Sequence, residues 1–331
     1  MTQLSRYILF AVLAFSFSVS LAATKTTSQF EQKQIEQFID EMVKEHQFDA
    51  IKLRTILSKA EKKQTILDAI SRPAEGKPWH EYRPIFMTES RIREGIKFIK
   101  KNRQILEAAE KKYGVPASII TAIIGVETRY GRFRGSYRVI DALSTLSFAY
   151  PKRAKFFRGQ LKEFLIMARE EEMDPLKPLG SYAGAMGQPQ FIPSSFRSYA
   201  IDFDGDGRRD LWDNMDDIIG SVANYFSRHH WRAGEAVITR AKMTGSAPES
   251  LLKGGYKPSF KAEKLKAHKI DVAESIPSDR KVALIALKQK RGNEYWVGFH
   301  NFYVITRYNH SPLYAMAVYQ LSEAIRSGAA L

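Results

Sequence analysis

The chain has 331 residues with 44% hydrophobic and 26% charged content, enough for more than one compact core, so two or three lobes are expected. Its 51 Lys and Arg against 36 Asp and Glu give a formal charge of +15, which points to a polyanionic partner: nucleic acid, anionic lipid or cell-wall polymer. Cysteine is absent, which excludes a disulfide frame, a thiol nucleophile, Cys-ligated zinc and an N-terminal lipid anchor.

In chain order, residues 1–22 read as a secretory signal peptide: one cation at Arg6, an apolar run from Tyr7, and small residues leading into Ala23 and Thr24. A membrane-spanning anchor is the competing reading, but Ser16, Ser18 and Ser20 break the run well before the roughly 20 apolar residues that cross a bilayer. Export and cleavage place the mature chain in the periplasm, with no stable membrane anchor and no chromosomal DNA as partner.

Residues 23–100 are expected to form a helical lobe, since Gln29 to Ile70 carries helix-spaced apolar residues such as Ile35, Phe38, Ile39 and Met42. Pro73, Gly76 and Pro78 interrupt the pattern, and a loop is expected to hold His80, Glu81, Tyr82 and Arg83. Helical spacing resumes from Arg91 to Tyr113, and Pro116 is placed to open the next helix in a core spanning 101–233. From Gly234 the texture changes, and 234–302 reads as a small antiparallel β lobe. Its predicted strands are 236–239, 282–287 and 294–304, the last two joined across Arg291-Gly292-Asn293 as a hairpin. Residues 303–331 return to the helical body, with a helix from Tyr314 to Ile325. The predicted fold class is α+β, mainly α.

The segment Ser118 to Glu127 is apolar almost all round, the mark of a buried helix, and Glu127 is its only acid. Ile123, Ile119 and Ile124 share its face, so the carboxyl is poorly solvated and its pKa should rise. A carboxyl that stays protonated near neutral pH can protonate a leaving sugar oxygen, which makes Glu127 a candidate general acid. The alternative is a helix-terminal Glu that merely pairs with Arg129 or Arg132.

Residues 202–213 set acids at positions 1, 3, 5, 9 and 12 of an EF-hand pattern, Asp202, Asp204, Asp206, Asp210 and Asp213, with Gly207 at position 6. Carboxylates crowded at alternate positions repel unless a hard cation neutralises them, so a structural calcium ion is expected. Asp213 replaces the usual bidentate Glu and Arg209 stands at a normally apolar position, which leaves the closing ligand open. The ion would clamp the helix from Ser194 to Ala200 against that from Ile218 to Phe226. His229 and His230 project to different sides of a helix and have no third ligand near them, so zinc is not expected. HExxH, a phosphate-binding Gly loop and a G-x-S-x-G elbow are all absent.

The stretches GVETRYGRFRGSYRVIDALSTLSFAYPKRAKFF, GSYAGAMGQPQFIPSSF and NFYVITRYNHS resemble the lytic murein transglycosylase B family, here in an exported form without a lipidation Cys. The resemblance runs from about Pro78 to the C-terminus. It implies a lysozyme-like helical core with an EF-hand-like loop at 202–217, and makes Glu127, in the intact motif Gly125 to Gly131, the sole catalytic acid and base. It also implies sugar and peptide contacts from Ser181, Gln190, Tyr225, Tyr308, Asn309 and Tyr314, together with Tyr82, Lys152 and Arg153. For the metal it implies the carbonyl of Arg208 and closure at Asp217 or its neighbour Asp216. The sequence varies at Gln188-Pro189, where family members can carry a more flexible Gly-containing pair, and this bears on how Gln190 meets substrate.

The implied reaction breaks the β-1,4 bond between N-acetylmuramic acid and N-acetylglucosamine in peptidoglycan without water, leaving 1,6-anhydromuramic ends. Two alternatives remain: a lysozyme-like muramidase using a second carboxylate, for which Asp141 is the nearest downstream acid, and a non-catalytic wall-binding scaffold.

Overall fold

The computed structural model describes residues 30–71, 76–243 and 247–330; the predicted signal peptide and Pro73 lie outside them. Three helices come first among the described residues, α1 (Gln32–His46), α2 (Ala50–Ser58) and α3 (Gln64–Ile70). In α1, Phe38, Ile39 and Met42 recur at helical spacing and bury one stripe. Asp49 caps α2 by accepting the N–H groups of Ile51 and Lys52.

The stretch expected as a loop is the helix α4 (Trp79–Phe86). It tolerates Pro84, and the fully buried Trp79 anchors its first turn beneath the stacked ring of Tyr82. Tertiary burial outweighs the local break signals here. The helical spacing read over 91–113 is realised as two helices, α5 (Glu89–Lys101) and α6 (Arg103–Tyr113). Asn102 divides them: it is buried, and its side-chain amide donates to the Phe98 carbonyl at 2.9 Å, competing with the helical ladder.

Then come α7 (Ala117–Thr128), a short strand β1 (Tyr137–Arg138), α8 (Val139–Ala149), a 3-10 turn at Pro151–Arg153, and α9 (Ala154–Glu170). Strand β2 (Leu179–Gly180) pairs antiparallel with β1, and helices α10 (Pro193–Tyr199) and α11 (Met215–Arg228) flank the acidic loop.

The β lobe contains β3 (Ile238–Met243), α12 (Glu249–Leu252), β4 (Phe260–Lys261), α13 (Glu263–Ala267), β5 (Ile270–Val272), β6 (Lys281–Lys288) and β7 (Asn293–Gly298). All pairings in the sheet, ordered β4-β6-β7-β3-β5, are antiparallel. Strands β6 and β7 form the expected hairpin, in register from Ala283 opposite Gly298 to Lys288 opposite Asn293. The final strand, however, stops at Gly298, and the residues expected to continue it to Val304 form α14 (His300–Tyr308). Their β-branched and aromatic content suits a strand, but Asn301, Val304 and Ile305 fall on one buried helical face, and core packing selects the helix. The last helix, α15 (Pro312–Ala329), packs against α7 and α5.

Three apolar clusters hold these parts. One joins α4 to α7, α11, α14 and α15 and takes in Ile238, Ile285 and Leu287 from the sheet. A second joins α1–α3 to α8–α10, and a third lies between the opposite face of the sheet and α12 and α13. No helix of the described residues is long and apolar enough to cross a membrane.

Candidate active site

Helix α7 is buried on every side through its central turns, and its penultimate residue is Glu127. Beyond Thr128 the chain reverses through two left-handed residues, Arg129 (φ 52°) and Tyr130 (φ 59°). The Tyr130 ring thereby folds back onto Gly125, where a Cβ would stand 2.6 Å from the ring, so a side chain at 125 is excluded. Thr128 ties the helix end down further: its hydroxyl donates to the Gln188 carbonyl at 2.9 Å and accepts from the Gly131 N–H at 3.0 Å.

The Glu127 carboxyl accepts a hydrogen bond from the Tyr314 hydroxyl at 2.6 Å. Tyr314 is held by the first turn of α15, where the Ser311 hydroxyl caps its N–H. The Tyr308 ring lies nearly parallel to that of Tyr314, centroids 6.4 Å apart, and its hydroxyl donates to the Pro189 carbonyl at 2.6 Å. Tyr225 packs against Tyr308 with centroids 4.7 Å apart and donates to the Arg307 carbonyl. Burial among these rings and the isoleucines of α7 pushes the Glu127 pKa up to about 7, against the opposing pull of the Tyr314 hydrogen bond. Burial likewise holds Tyr308 and Tyr314 well above the ordinary phenol range, helped by the neighbouring Glu127 carboxylate, so both stay protonated donors.

The alternative pairing of Glu127 is not realised. Arg129 instead forms a two-pronged ion pair with Glu94 and donates to Ser90, while the Arg132 guanidinium lies over the Phe133 ring. Asp141, the proposed second carboxylate of a hydrolase, is buried and engaged through both oxygens: it accepts from the Arg138 guanidinium at 2.8 and 2.9 Å and from the Glu61 N–H at 2.9 Å.

The other predicted contacts are distributed unevenly. Ser181 turns its hydroxyl oxygen to the N–H groups of Ala183 and Ala185, bracing the loop that leads to Gln190. Gln190 adopts φ 51°, and its amide nitrogen donates to the carbonyls of Gly187 and Arg134. Asn309 follows α14 directly and is exposed. Tyr82 is partly buried between Trp79 and Phe86 and lies close enough to Tyr314 to influence its titration. Lys152 and Arg153 are exposed on their 3-10 turn, and the Arg153 guanidinium covers the rings of Phe156 and Phe157. Among the described residues these two basic side chains share no hydrogen bond or ring contact with the Glu127 group.

Gln188 stands in the sequence only as a point of variation, yet it joins the site to the acidic loop. Its carbonyl receives Thr128, its N–H donates to the Leu211 carbonyl at 2.8 Å, and its side-chain amide donates to the Trp212 carbonyl at 3.1 Å. No local periodicity marks such a role.

In the acidic loop, Gly205 and Gly207 take left-handed conformations, and the Asp202 carboxylate accepts the N–H groups of Gly205, Asp206 and Gly207. Carboxylate oxygens of Asp202, Asp204 and Asp217 all lie within 4.8 Å of one another. Burial pushes the Asp217 pKa up to about 6, with Asp204 and Asp202 adding repulsion, so the cluster suits a hard, oxygen-seeking cation. Asp206 points its carboxylate at the Arg208 N–H, and Asp213 points away to the Arg134 guanidinium at 2.7 Å. Of the three candidates for closing the loop, Asp217 is the one brought to the cluster.

Residues 30–323 match the family model of the transglycosylase SLT domain. The chain belongs to this family. It is 45% identical over 300 residues to the membrane-bound lytic murein transglycosylase B of Escherichia coli strain K12, covering 88% of this chain and 82% of that protein. The crystal structure of the soluble lytic transglycosylase SltB1 from Pseudomonas aeruginosa superposes with a TM-score of 0.85 at 51% identity, covering 90% of this chain and 100% of that one. The Escherichia coli lytic transglycosylase Slt35 in complex with calcium gives a TM-score of 0.83 at 43% identity, covering 90% and 94%. The chain is a lytic transglycosylase with the mainly helical, lysozyme-like fold of these structures.

Proposed function

We propose that this lytic transglycosylase cleaves the β-1,4 bond between N-acetylmuramic acid and N-acetylglucosamine in peptidoglycan and closes the muramyl residue into a 1,6-anhydro ring. The observation that carries the reading is Glu127: one carboxyl with a pKa near 7, fixed at a helix end and faced by buried tyrosines. Protonated, it delivers its proton to the leaving sugar oxygen as the glycosidic bond breaks. The resulting carboxylate then takes the proton of the muramyl C6 hydroxyl as that oxygen bonds to C1, which returns Glu127 to its acid form. The Tyr314 hydroxyl steadies the carboxylate stage, because a hydrogen bond to the charged form favours it. Engagement of Asp141 by Arg138 and by the Glu61 backbone supports a one-carboxylate mechanism over paired-carboxylate hydrolysis.

In the same reading Ser181, Gln190, Tyr225, Tyr308, Asn309, Tyr314 and Tyr82 line the glycan groove, and Lys152 and Arg153 meet stem peptides farther out. Aromatic faces and amides suit pyranose rings and acetamido groups. A helical lobe at 23–100 and a β lobe at 234–302 flank a core at 101–233, which 303–331 completes by supplying Tyr308 and Tyr314. Asp202, Asp204 and Asp217 hold a calcium ion that keeps α10 and α11 together; the clustering of their carboxylates and the calcium complex of the Escherichia coli relative support the binding of the ion. The enzyme works in the periplasm after loss of its signal peptide, with glycan strands as its partner.

Digestion of purified sacculi in heavy-oxygen water tests the reaction. Unlabelled anhydro ends, read by mass spectrometry, are expected; labelled reducing ends would make the protein a hydrolase, and no release at all a scaffold.

A further inference from the structure

The end of the acidic loop is tied to the catalytic helix by an unbroken run of hydrogen bonds. It starts at Asp217, a member of the carboxylate cluster that is buried and fixed in the first turn of α11 by the Asn214 cap. Its carboxylate accepts the Asp210 N–H at 2.7 Å, and the Asp210 carboxylate in turn accepts the N–H groups of Trp212 at 2.7 Å and Asp213 at 3.1 Å. The carbonyls of Leu211 and Trp212, held by that turn, receive the Gln188 backbone N–H at 2.8 Å and its side-chain amide at 3.1 Å. The Gln188 carbonyl then receives the Thr128 hydroxyl at 2.9 Å, one residue beyond Glu127.

There is little slack in this run. Gly187 (φ 68°) passes so close to the loop that a Cβ would stand 2.4 Å from the Leu211 carbonyl oxygen, and at Gly131 (φ 84°) one would stand 2.5 Å from the Gln188 amide oxygen. Thr128 is buried, and its hydroxyl also accepts the Gly131 N–H at 3.0 Å, so it is bound from both sides. Close packing of this kind passes a displacement of the loop end on to the last turn of α7.

The charge of the loop gives it two arrangements. The carboxylate oxygens of Asp202, Asp204 and Asp217 lie within 4.8 Å of one another, where they repel as ionised groups and converge once a cation neutralises them. Asp217 belongs both to the cluster and to the hydrogen-bonded run, so the two arrangements differ at the Asp210 N–H it holds. At the other end of the run, the rate of proton delivery depends steeply on placement: a shift of about 1 Å costs up to about 100-fold. Tyr308, whose hydroxyl donates to the Pro189 carbonyl, is held without Thr128, so the Thr128 tie bears on the acid rather than on that ring.

We propose that Thr128, held through Gln188 by the end of the metal loop, is a positioning residue that makes the placement of Glu127, and with it the rate of glycan cleavage, depend on whether the loop is filled. The assignment rests on the reading above, with Glu127 as the acid and calcium as the ion of the loop. It gives the loop a part in turnover as well as in stability.

The test compares calcium-loaded and chelated protein well below the melting temperature of the chelated form, so that both are folded. Wild type is expected to lose about tenfold in kcat on chelation, read as release of anhydro ends, and calcium should slow amide hydrogen exchange at Gly131 and Gln188. Thr128→Val keeps the side-chain shape but not the hydroxyl. Its calcium gain in Tm should persist, while kcat falls to the chelated wild-type level and no longer follows calcium, with KM unchanged. Thr128→Ser, which keeps the hydroxyl, should restore the response. Gln188→Leu, which cuts the tie to Trp212 and leaves the backbone bonds, should shrink the response, and it decides the matter if the valine variant does not fold. A folded wild type whose kcat ignores calcium, or a Thr128→Val or Gln188→Leu variant whose kcat follows calcium in full, overturns the proposal. Absence of anhydro product from wild type would sink the glycan-cleaving reading, and absence of a Tm gain the metal reading, each taking the coupling with it.

Discussion

Glu127→Gln keeps the shape of the catalytic side chain and an oxygen to accept the Tyr314 hydrogen bond, but removes both the transferable proton and the buried charge. Its effect on stability follows from the pKa of about 7 in the fold against 4.5 for the ordinary side chain. Below pH 4.5 the carboxyl is neutral in both the folded and the unfolded chain and costs nothing. Between that value and about 7, the unfolded chain has lost the proton and the folded chain still holds it, so stability falls as pH rises. Above the folded pKa the whole cost is present, about 3 kcal/mol. The variant escapes it. Near pH 4 the two proteins should be almost equally stable, and near pH 8 the variant should exceed wild type by about 3 kcal/mol, a rise of roughly 6 °C in Tm for a chain of this size. Urea titrations across the pH range, with calcium saturating to keep the acidic loop constant, read the difference directly. Anhydro product should be undetectable from the variant throughout. A stability difference that does not vary with pH, or a variant less stable than wild type at alkaline pH, would refute the claim that Glu127 is a desolvated acid.

Tyr314→Phe deletes the hydroxyl that favours the Glu127 carboxylate. The alkaline limb of the kcat/KM profile should therefore move to higher pH while the maximum rate drops about tenfold, and a limb that stays in place or moves down would contradict this role. Calcium should stabilise the native protein by about 3 kcal/mol at a hundredfold excess over its dissociation constant, and a chelator should reverse the gain in Tm. Asp202→Ala should abolish that shift and Asp213→Ala should retain it, since Asp213 faces Arg134 rather than the cluster. Gly125→Ala drives a methyl into the Tyr130 ring, and denaturant unfolding should register a loss of about 1–3 kcal/mol together with a fall in kcat.

What the sequence determined by itself was local. An apolar segment with a single acid at its end had to be a buried helix presenting a poorly solvated carboxyl, because helical geometry sets Ile119, Ile123 and Ile124 on the face of Glu127. Alternating Asp residues with Gly at the turn had to crowd charge in one place, since Asp202 and Asp204 are two residues apart on a chain bent by Gly205 and Gly207. The hairpin of β6 and β7 was legible for the same reason, its turn and alternation lying within one short window. Where such windows conflicted with distant packing, they misled: Trp79 drew a helix out of a Pro-flanked loop, Asn102 split a continuous helical pattern, and the core turned strand-like residues after Gly298 into α14. The partners at the site were also out of reach of any window. Tyr314 is 187 residues from the carboxyl it contacts, Glu94 takes Arg129 away from that carboxyl, and Arg134 draws Asp213 off the metal cluster. Periodicity states which face of an element is buried, whereas the identity of the group across that face is decided by how the elements pack.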